Sequence, residues 1–254
     1  MKRKIIVFIA IIIIPFIILL LDHYVLKEDV HMDAAYDQSA DWSYIMQHQD
    51  DIPPSLLKLA MHNKETIPFV SHYLRQPQNL SLDLKTVLKS QEIPLLLQWD
   101  TRWGYRKYGD DFIAVNGCGP TCLSMVLSYL QNNASLNPYV IAKYAYQKGY
   151  YTQAGTSWRL MDEGARCFGV NASQMPLNED MIKQELEQHH PIICSVGPGI
   201  FTTEGHFIVL REYKNGLIYV NDPNSRQHSQ KGYRFDEIKN QIKNLWVYSK
   251  EKNR

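Results

Sequence analysis

The run "IIVFIAIIIIPFIILLL", Ile5 to Leu21, constrains this chain more than any other segment. It is uninterrupted, apolar on every side and of roughly the length a helix needs to cross a bilayer. A stretch of this kind has no place on a water-facing surface, so the chain is expected to divide into an anchor, residues 1–21, and a separately folded remainder. Pro15 would kink the span, which membrane helices tolerate. Lys2, Arg3 and Lys4 precede it while Asp22 and Glu28 follow it. That asymmetry predicts a single-pass protein of the cell membrane, N-terminus in the cytoplasm and C-terminal bulk extracellular. A cleaved signal peptide is the rival reading, but the run exceeds a usual h-region, and "MDAAY", Met32 to Tyr36, is only a weak cleavage site.

The formal net charge of the 254 residues is +1, which gives no electrostatic reason to expect a nucleic acid as partner. Asp22 to Ala40 is polar and without periodicity, a stalk. "DIPPSLLKLAMHN" and "KETIPFVSHYL" place proline near the start of apolar-periodic runs, where it suits a first helical turn. They predict two short helices, so residues 22–92 read as stalk and small helical subdomain and 93–254 as the main domain. There helices are expected over Gly119 to Gln131, Pro138 to Gln147, Trp158 to Phe168 and Glu179 to Gln188. Asn137, Thr156 or Ser157, and Asn178 are their caps. Strands follow at "PIICSV", "HFIVLREY", "LIYVND" and "NLWVYS". Helices followed by antiparallel strands, without βαβ alternation, predict an α+β domain with N-terminal helices packed on an antiparallel sheet.

"NGCGPTCLSMVLSYL", Asn116 to Leu130, sets Cys118 between two glycines where a helix should begin. A helix N-terminus carries partial positive charge and unpaired N–H groups, which stabilise a thiolate; the Cys118 N–H itself suits one donor of an oxyanion hole. Cys122, Cys167 and Cys194 each sit in an apolar stretch and read as small buried hydrophobes. A thiolate nucleophile needs a base. His23, His31, His48, His62 and His72 lie in the anchor, stalk or helical subdomain, and His189 and His190 end a polar helix. His206 instead opens an apolar strand after a glycine-rich loop, "GPGIFTTEGHFIVL". Its orienting acceptor is Asp222 or Asn221 in "VNDP", which alternation sends to opposite faces. A two-residue Asn215-Gly216 turn would pair Val209 with Asp222 and turn Asp222 away from His206. A three-residue Lys214-Asn215-Gly216 turn would pair Ile208 with Asp222 and bring it to the histidine's face. Gln98, after an apolar run upstream of the cysteine, is the candidate side-chain donor for the oxyanion. Trp158, Gly199 and Phe201 are candidates for the walls of a substrate cleft, with core packing the alternative for the two aromatic residues.

The series "QWDTRWGYRKYG", "NGCGPTCLSMVLSYL", "GTSW", "GHFIVL" and "VNDPNS", in that order, resembles the stand-alone members of family thirty-nine of the cysteine peptidases, relatives of bacteriocin leader peptidases. The resemblance covers about Ile93 to Tyr248. It implies a papain-like fold, a peptide or protein substrate, Cys118 as nucleophile, His206 as base, Asp222 as orienter and Gln98 as oxyanion donor. The glutamine lies farther from the cysteine than in the transporter-linked peptidases. No metal and no organic cofactor is called for. The alternatives are a catalytically silent peptide- or wall-binding module on the same fold, an amide transferase using the same acyl-enzyme, and a zinc site using Cys118, Cys122, His206 or Asp222. The last lacks the paired Cys-x-x-Cys knuckles of such sites.

Overall fold

The computed structural model describes residues 40–76, 80–89, 92–153 and 155–251. The Ile5 to Leu21 run and the stalk lie outside them; among the described residues no helix is long and apolar enough to cross a membrane. The chain forms two compact units, Met1–His48 and Gln49–Arg254. In the first, the described residues form helix α1, Ala40–Gln47.

The second unit opens with α2, Pro54–His62, and α3, Ile67–Ser71, each with proline in its first turn as expected. They fold as part of this unit: Ser55 Oγ donates to Asp111 Oδ1 at 2.9 Å, and the Phe69 ring stacks on Tyr105 with centroids 4.2 Å apart. A small hairpin, β1 (Lys107–Tyr108) with β2 (Asp111–Phe112), leads through the short helix α4, Ile113–Asn116, into α5, Cys118–Gln131. Then come α6, Pro138–Gln147, and a second small hairpin of β3, Tyr151–Thr152, with β4, Gly155–Thr156. The expected cap is in place: Asn137 accepts the Val140 N–H at 3.1 Å.

The helix predicted over Trp158 to Phe168 is broken. Ser157 caps one 3-10 turn, Trp158–Leu160; Asp162 then leaves helical geometry (φ −111°, ψ −83°) before the short α7, Glu163–Arg166. Gly164 packs against Leu160, where a side chain would collide, so the turn and α7 are held by packing more than by helical propensity. Cys167 ends α7 and is exposed, contrary to the buried role read from its apolar neighbours. Strand β5, Val170–Gln174, was not foreseen. It is a half-buried edge strand whose alternation, Val170 and Ala172 inward, is too short to stand out from a loop.

Next follow α8, Glu179–Glu187, β6, Ile192–Val196, β7, His206–Lys214, and β8, Leu217–Asn221. The chain closes with α9, Arg226–Ser229, β9, Gly232–Tyr233, α10, Phe235–Ile238, and β10, Ile242–Lys250. The main sheet has six strands in the order β5-β10-β6-β7-β8-β9, and every pairing is antiparallel. Both faces are covered, which is why β6 and the start of β7 read as continuous apolar runs. On one face Leu123, Val126 and Leu127 of α5 and Ile141 of α6 pack with Val209, Trp246 and Tyr248. On the other, Ile182 and Leu186 of α8 meet Ile192, Ile208, Leu210 and Val220. Burying one such Leu or Ile side chain contributes about 1.5–3 kcal/mol, so the two layers hold the sheet rigid between them.

The segment after β8 is held from outside the sheet. Asn63 Nδ2 donates to the Asn224 carbonyl at 2.6 Å, Trp99 Nε1 donates to the same oxygen at 3.0 Å, and the Gln98 backbone N–H reaches the Pro223 carbonyl at 2.8 Å. The Glu65 carboxylate takes Ser225 Oγ at 2.6 Å and the N–H groups of Arg226 and Gln227 at 2.9 and 3.3 Å. It thus satisfies donors at the start of α9 that have no intrahelical partner. Residues 63–65 thereby brace the loop that carries Asp222.

Candidate active site

Gly117 ends α4 and is also the N-cap of α5, with no side chain on the first-turn N–H groups. Both flanking glycines are required by close approach. A Cβ on Gly117 would lie 2.4 Å from the Ile113 carbonyl oxygen, and one on Gly119 would lie 2.8 Å from the Thr156 side chain of β4. Backbone therefore crowds the helix start while Cys118 between them stays half-buried and free. One turn on, Cys122 is fully buried and gives its S–H to the Phe207 carbonyl at 3.2 Å. Burial pushes the Cys122 thiol well up, and the neighbouring Cys118 and Asp222 add to this; burial does the same to Cys194. These two thiols are structural, as expected.

His206 is the first residue of β7, at the end of the sheet against which α5 packs. It is only 8% exposed. Its Nε2 lies 2.8 Å from Asp222 Oδ1, which leaves Nδ1 for the Cys118 sulfur, a neighbour close enough to help raise the imidazole. Burial alone would push the imidazolium down, but the Asp222 carboxylate, first by charge and then by its hydrogen bond, outweighs it with help from Cys118. The imidazole is held up at about 10. Asp222 is fully buried. Desolvation works against its charge, yet His206, His228 and the Asn224 N–H bring it down to about 2.

Of Asn221 and Asp222 it is Asp222 that reaches His206, through a bulge in the strand and not through the turn. The turn is the two-residue Asn215-Gly216 form, both residues left-handed (φ 54° and 77°), with Lys214 opposite Leu217. The extra residue lies farther in: a bulge at Arg211 shifts the register so that Val209 faces Asn221. Continuing that register puts Asp222 opposite Ile208, on the His206 face; of the two turns weighed the two-residue one forms, and the strand bulge supplies the shift that a three-residue turn would have given. Asn221 points the other way and donates to the carbonyls of Ile93 and Pro94 at 3.1 and 3.2 Å.

Gln98 is buried beneath the approach to α5. Its Nε2 donates to the Ala114 carbonyl at 2.7 Å and reaches the Val115 carbonyl at 3.4 Å, while Oε1 has no partner among the described residues. One N–H is thus firmly committed and the second only loosely. Trp158 is half-exposed, its Nε1 donating to Ser195 Oγ at 3.1 Å beside the strand pair that carries His206. Gly199 is exposed in the loop between β6 and β7, where a side chain would strike Gln241. Phe201 does not line an open cleft: it is 5% exposed, with its ring against His228 and Tyr233. His228 escaped the sequence reading. Its Nδ1 lies 2.7 Å from Asp222 Oδ2. "SRQHSQ" offers no apolar strand or glycine loop around it, and the signal that would have found it is Ser225 as the cap of a turn that returns residue 228 toward residue 222.

No curated protein matches the sequence. Among solved structures the chain is similar to the peptidase domain of Streptococcus ComA, a bi-functional ABC transporter involved in a quorum-sensing pathway. That match has 18% identity over 54% of this chain and 93% of that one, with a TM-score of 0.40. It is also similar to a candidate C39-like peptidase from Bacillus anthracis, at 12% identity over 69% of this chain and 100% of that one, TM-score 0.44. A third similar structure is a double glycine motif protease from an AMS/PCAT transporter in complex with the leader peptide, at 19% identity over 53% and 84% of the two chains, TM-score 0.35. The family model described as Peptidase_C39 like family matches residues 90–253, the span that holds the helix-borne cysteine, the strand-borne histidine and the buried aspartate, and the chain belongs to that family.

Proposed function

We propose that the protein is a cysteine peptidase that hydrolyses a peptide bond through Cys118, His206 and Asp222. The observation that carries this reading is the buried Asp222–His206 pair at 2.8 Å, with the half-buried Cys118 thiol as the imidazole's neighbour. In the resting site the Cys118 proton passes to His206 Nδ1, and the resulting imidazolium, favoured by Asp222, steadies the thiolate. The sulfur attacks the substrate carbonyl carbon, and the carbonyl π electrons move to oxygen. The Cys118 backbone N–H and the loosely held second N–H of Gln98 face the developing charge. Collapse of this intermediate breaks the C–N bond, with His206 giving its proton to the leaving amine. A water then loses a proton to His206, adds to the thioester and releases the acid and the thiol. The mechanism invokes no metal and no organic cofactor. Trp158, exposed beside the His206 strand, is proposed as part of the wall that receives the peptide.

The test is cleavage of a peptide library by the full-length protein, with the Cys118→Ala variant as control. If the wild-type protein cleaves nothing in the library while binding peptides, the silent-module alternative takes its place. Gln98→Ala is expected to slow turnover by about 10²- to 10³-fold, the usual cost of one oxyanion donor. A thermal melt of the variant checks that losing the bond to Ala114 has not unfolded the site, and a loss below about threefold assigns the oxyanion to another donor.

The Ile5 to Leu21 run and the preceding Lys2, Arg3 and Lys4 support a further part of the reading, that the peptidase is anchored in the cell membrane and faces outward. Protease added to intact cells is then expected to digest the domain and leave a small anchored fragment. Digestion that begins only after lysis would place the domain on the cytoplasmic side.

A further inference from the structure

Asp222 stands between two imidazoles. Oδ1 accepts from His206 Nε2 and from the Asn224 N–H, each at 2.8 Å, and Oδ2 accepts from His228 Nδ1 at 2.7 Å. The residue is fully buried, and its own N–H is held by Ser229 Oγ at 2.9 Å. His228 is fixed in turn. Ser225 Oγ takes its backbone N–H at 3.1 Å, Tyr233 Oη donates to its carbonyl at 3.2 Å, and its ring meets Phe201 edge to face with centroids 5.5 Å apart. With bonds to Oδ1 alone the carboxylate would be free to swing about its Cβ–Cγ axis; the Nδ1–H on Oδ2 pins the plane that presents Oδ1 to His206.

We propose that His228 is a positioning residue: it clamps the second oxygen of Asp222, sets the plane in which Asp222 holds His206, and draws off part of the charge that His206 would otherwise see. The inference rests on the reading of Cys118, His206 and Asp222 given above. It has a direction. A buried carboxylate that loses one of its donors concentrates its charge on the rest. Without the His228 N–H, His206 should hold its proton to higher pH and be held less precisely. The other titratable and charged groups around the cluster are Cys118 and Cys122 on α5, Tyr233 on β9, and Glu65 and Arg226 at the start of α9. Substitution at 228 leaves all of them in place.

Three variants of the full-length protein separate a positioning role from simple packing. His228→Phe keeps a ring against Phe201 but has no N–H. His228→Asn places an amide N–H near the position of Nδ1. His228→Ala removes ring and donor together, and serves if the phenylalanine variant does not fold. With a peptide substrate, His228→Phe is expected to lower kcat about tenfold, the scale of one hydrogen bond to a charged group, with KM unchanged. The alkaline limb of its pH profile should move upward, whereas His228→Asn should keep the wild-type limb and kcat within about threefold. Independently of any substrate, an NMR titration of the His206 imidazole in ¹⁵N-histidine-labelled protein should move upward in His228→Phe and His228→Ala and stay put in His228→Asn. If all three variants lose activity alike with the His206 titration unmoved, or if His228→Phe leaves kcat and titration at wild-type values, the proposal is overturned. The titration also separates the two readings. A His206 shift in a protein that hydrolyses nothing would sink the peptidase assignment and leave the clamp standing. An active peptidase whose His206 ignores position 228 does the reverse.

Discussion

Cys118→Ala should abolish hydrolysis, by at least about 10⁴-fold, while the full-length protein keeps its fold. Removing a nucleophile that acts as a unit with its base costs on this order, because the remaining groups then have no bond-forming atom to assist. The site is half-buried and the change deletes one sulfur next to glycines, so the melting temperature should hardly move. Alkylation makes the same point without a substrate. In the wild-type protein iodoacetamide should reach Cys118 and the exposed Cys167, and leave the buried Cys122 and Cys194 untouched until the chain unfolds. Only the rate at Cys118 should respond to His206→Ala, since Cys167 ends α7 and does not pair with the imidazole. Peptide mapping assigns the label to each site. Hydrolysis by Cys118→Ala within tenfold of wild type, or equal response of both thiols to His206→Ala, would remove Cys118 from the mechanism.

Asp222→Asn should be nearly as damaging, and for two reasons at once. The carboxylate takes an imidazole on each oxygen, but a carboxamide has one acceptor and must aim its own N–H groups at the other donor. Turnover is expected to fall by about 10³- to 10⁴-fold, as when a neutral amide replaces the orienting acid of a comparable site. Stability should fall too, by about 3 kcal/mol, the lower range for breaking a buried pair. The pH dependence follows from the two shifts. His206 stands at about 10 against an ordinary 6.5, so its share of the pair's stability is complete below about 6.5 and is lost as pH rises through 10. Asp222 stands at about 2 against 3.8, so its share is complete above about 3.8 and is lost as pH falls through 2. The stability gap between wild type and Asp222→Asn should therefore be widest from about pH 4 to 6.5 and close toward both extremes. Denaturant melts across pH would measure it, and a gap that does not vary with pH would mean the pair is not ionised in the folded protein.

The residues of the candidate site differ in how far the sequence alone could place them. Cys118 was legible because its signal is local: glycines on both sides, proline next and an apolar helix face beyond it. His206 was legible as the only histidine opening an apolar strand. His228 was not, because its meaning comes from a turn at Ser225 that folds it back onto Asp222. Phe201, a candidate for cleft wall or core, was left open for a related reason. A phenylalanine in a glycine-rich loop looks exposed until His228 and Tyr233 close over it.

What the sequence determined by itself is what depends on a few neighbouring residues. Asn137 and Asn178 start their helices through their own side chains, Asn215 and Gly216 adopt the left-handed turn their types favour, and the apolar runs of β6 and the start of β7 mark buried strands. Register and burial belong to the tertiary structure. The bulge at Arg211, which carries no glycine to mark it, moves Asp222 onto the histidine's face and sends Asn221 to the carbonyls of Ile93 and Pro94. Cys167 stays in water despite apolar neighbours, and the bracing of the Asp222 loop by Asn63 and Glu65 joins residues some 160 positions apart. Caps and turns act within a single turn of chain, where propensity can be read. A one-residue slip in register reverses every side chain beyond it and is settled only by which face the packed layers on either side can fill.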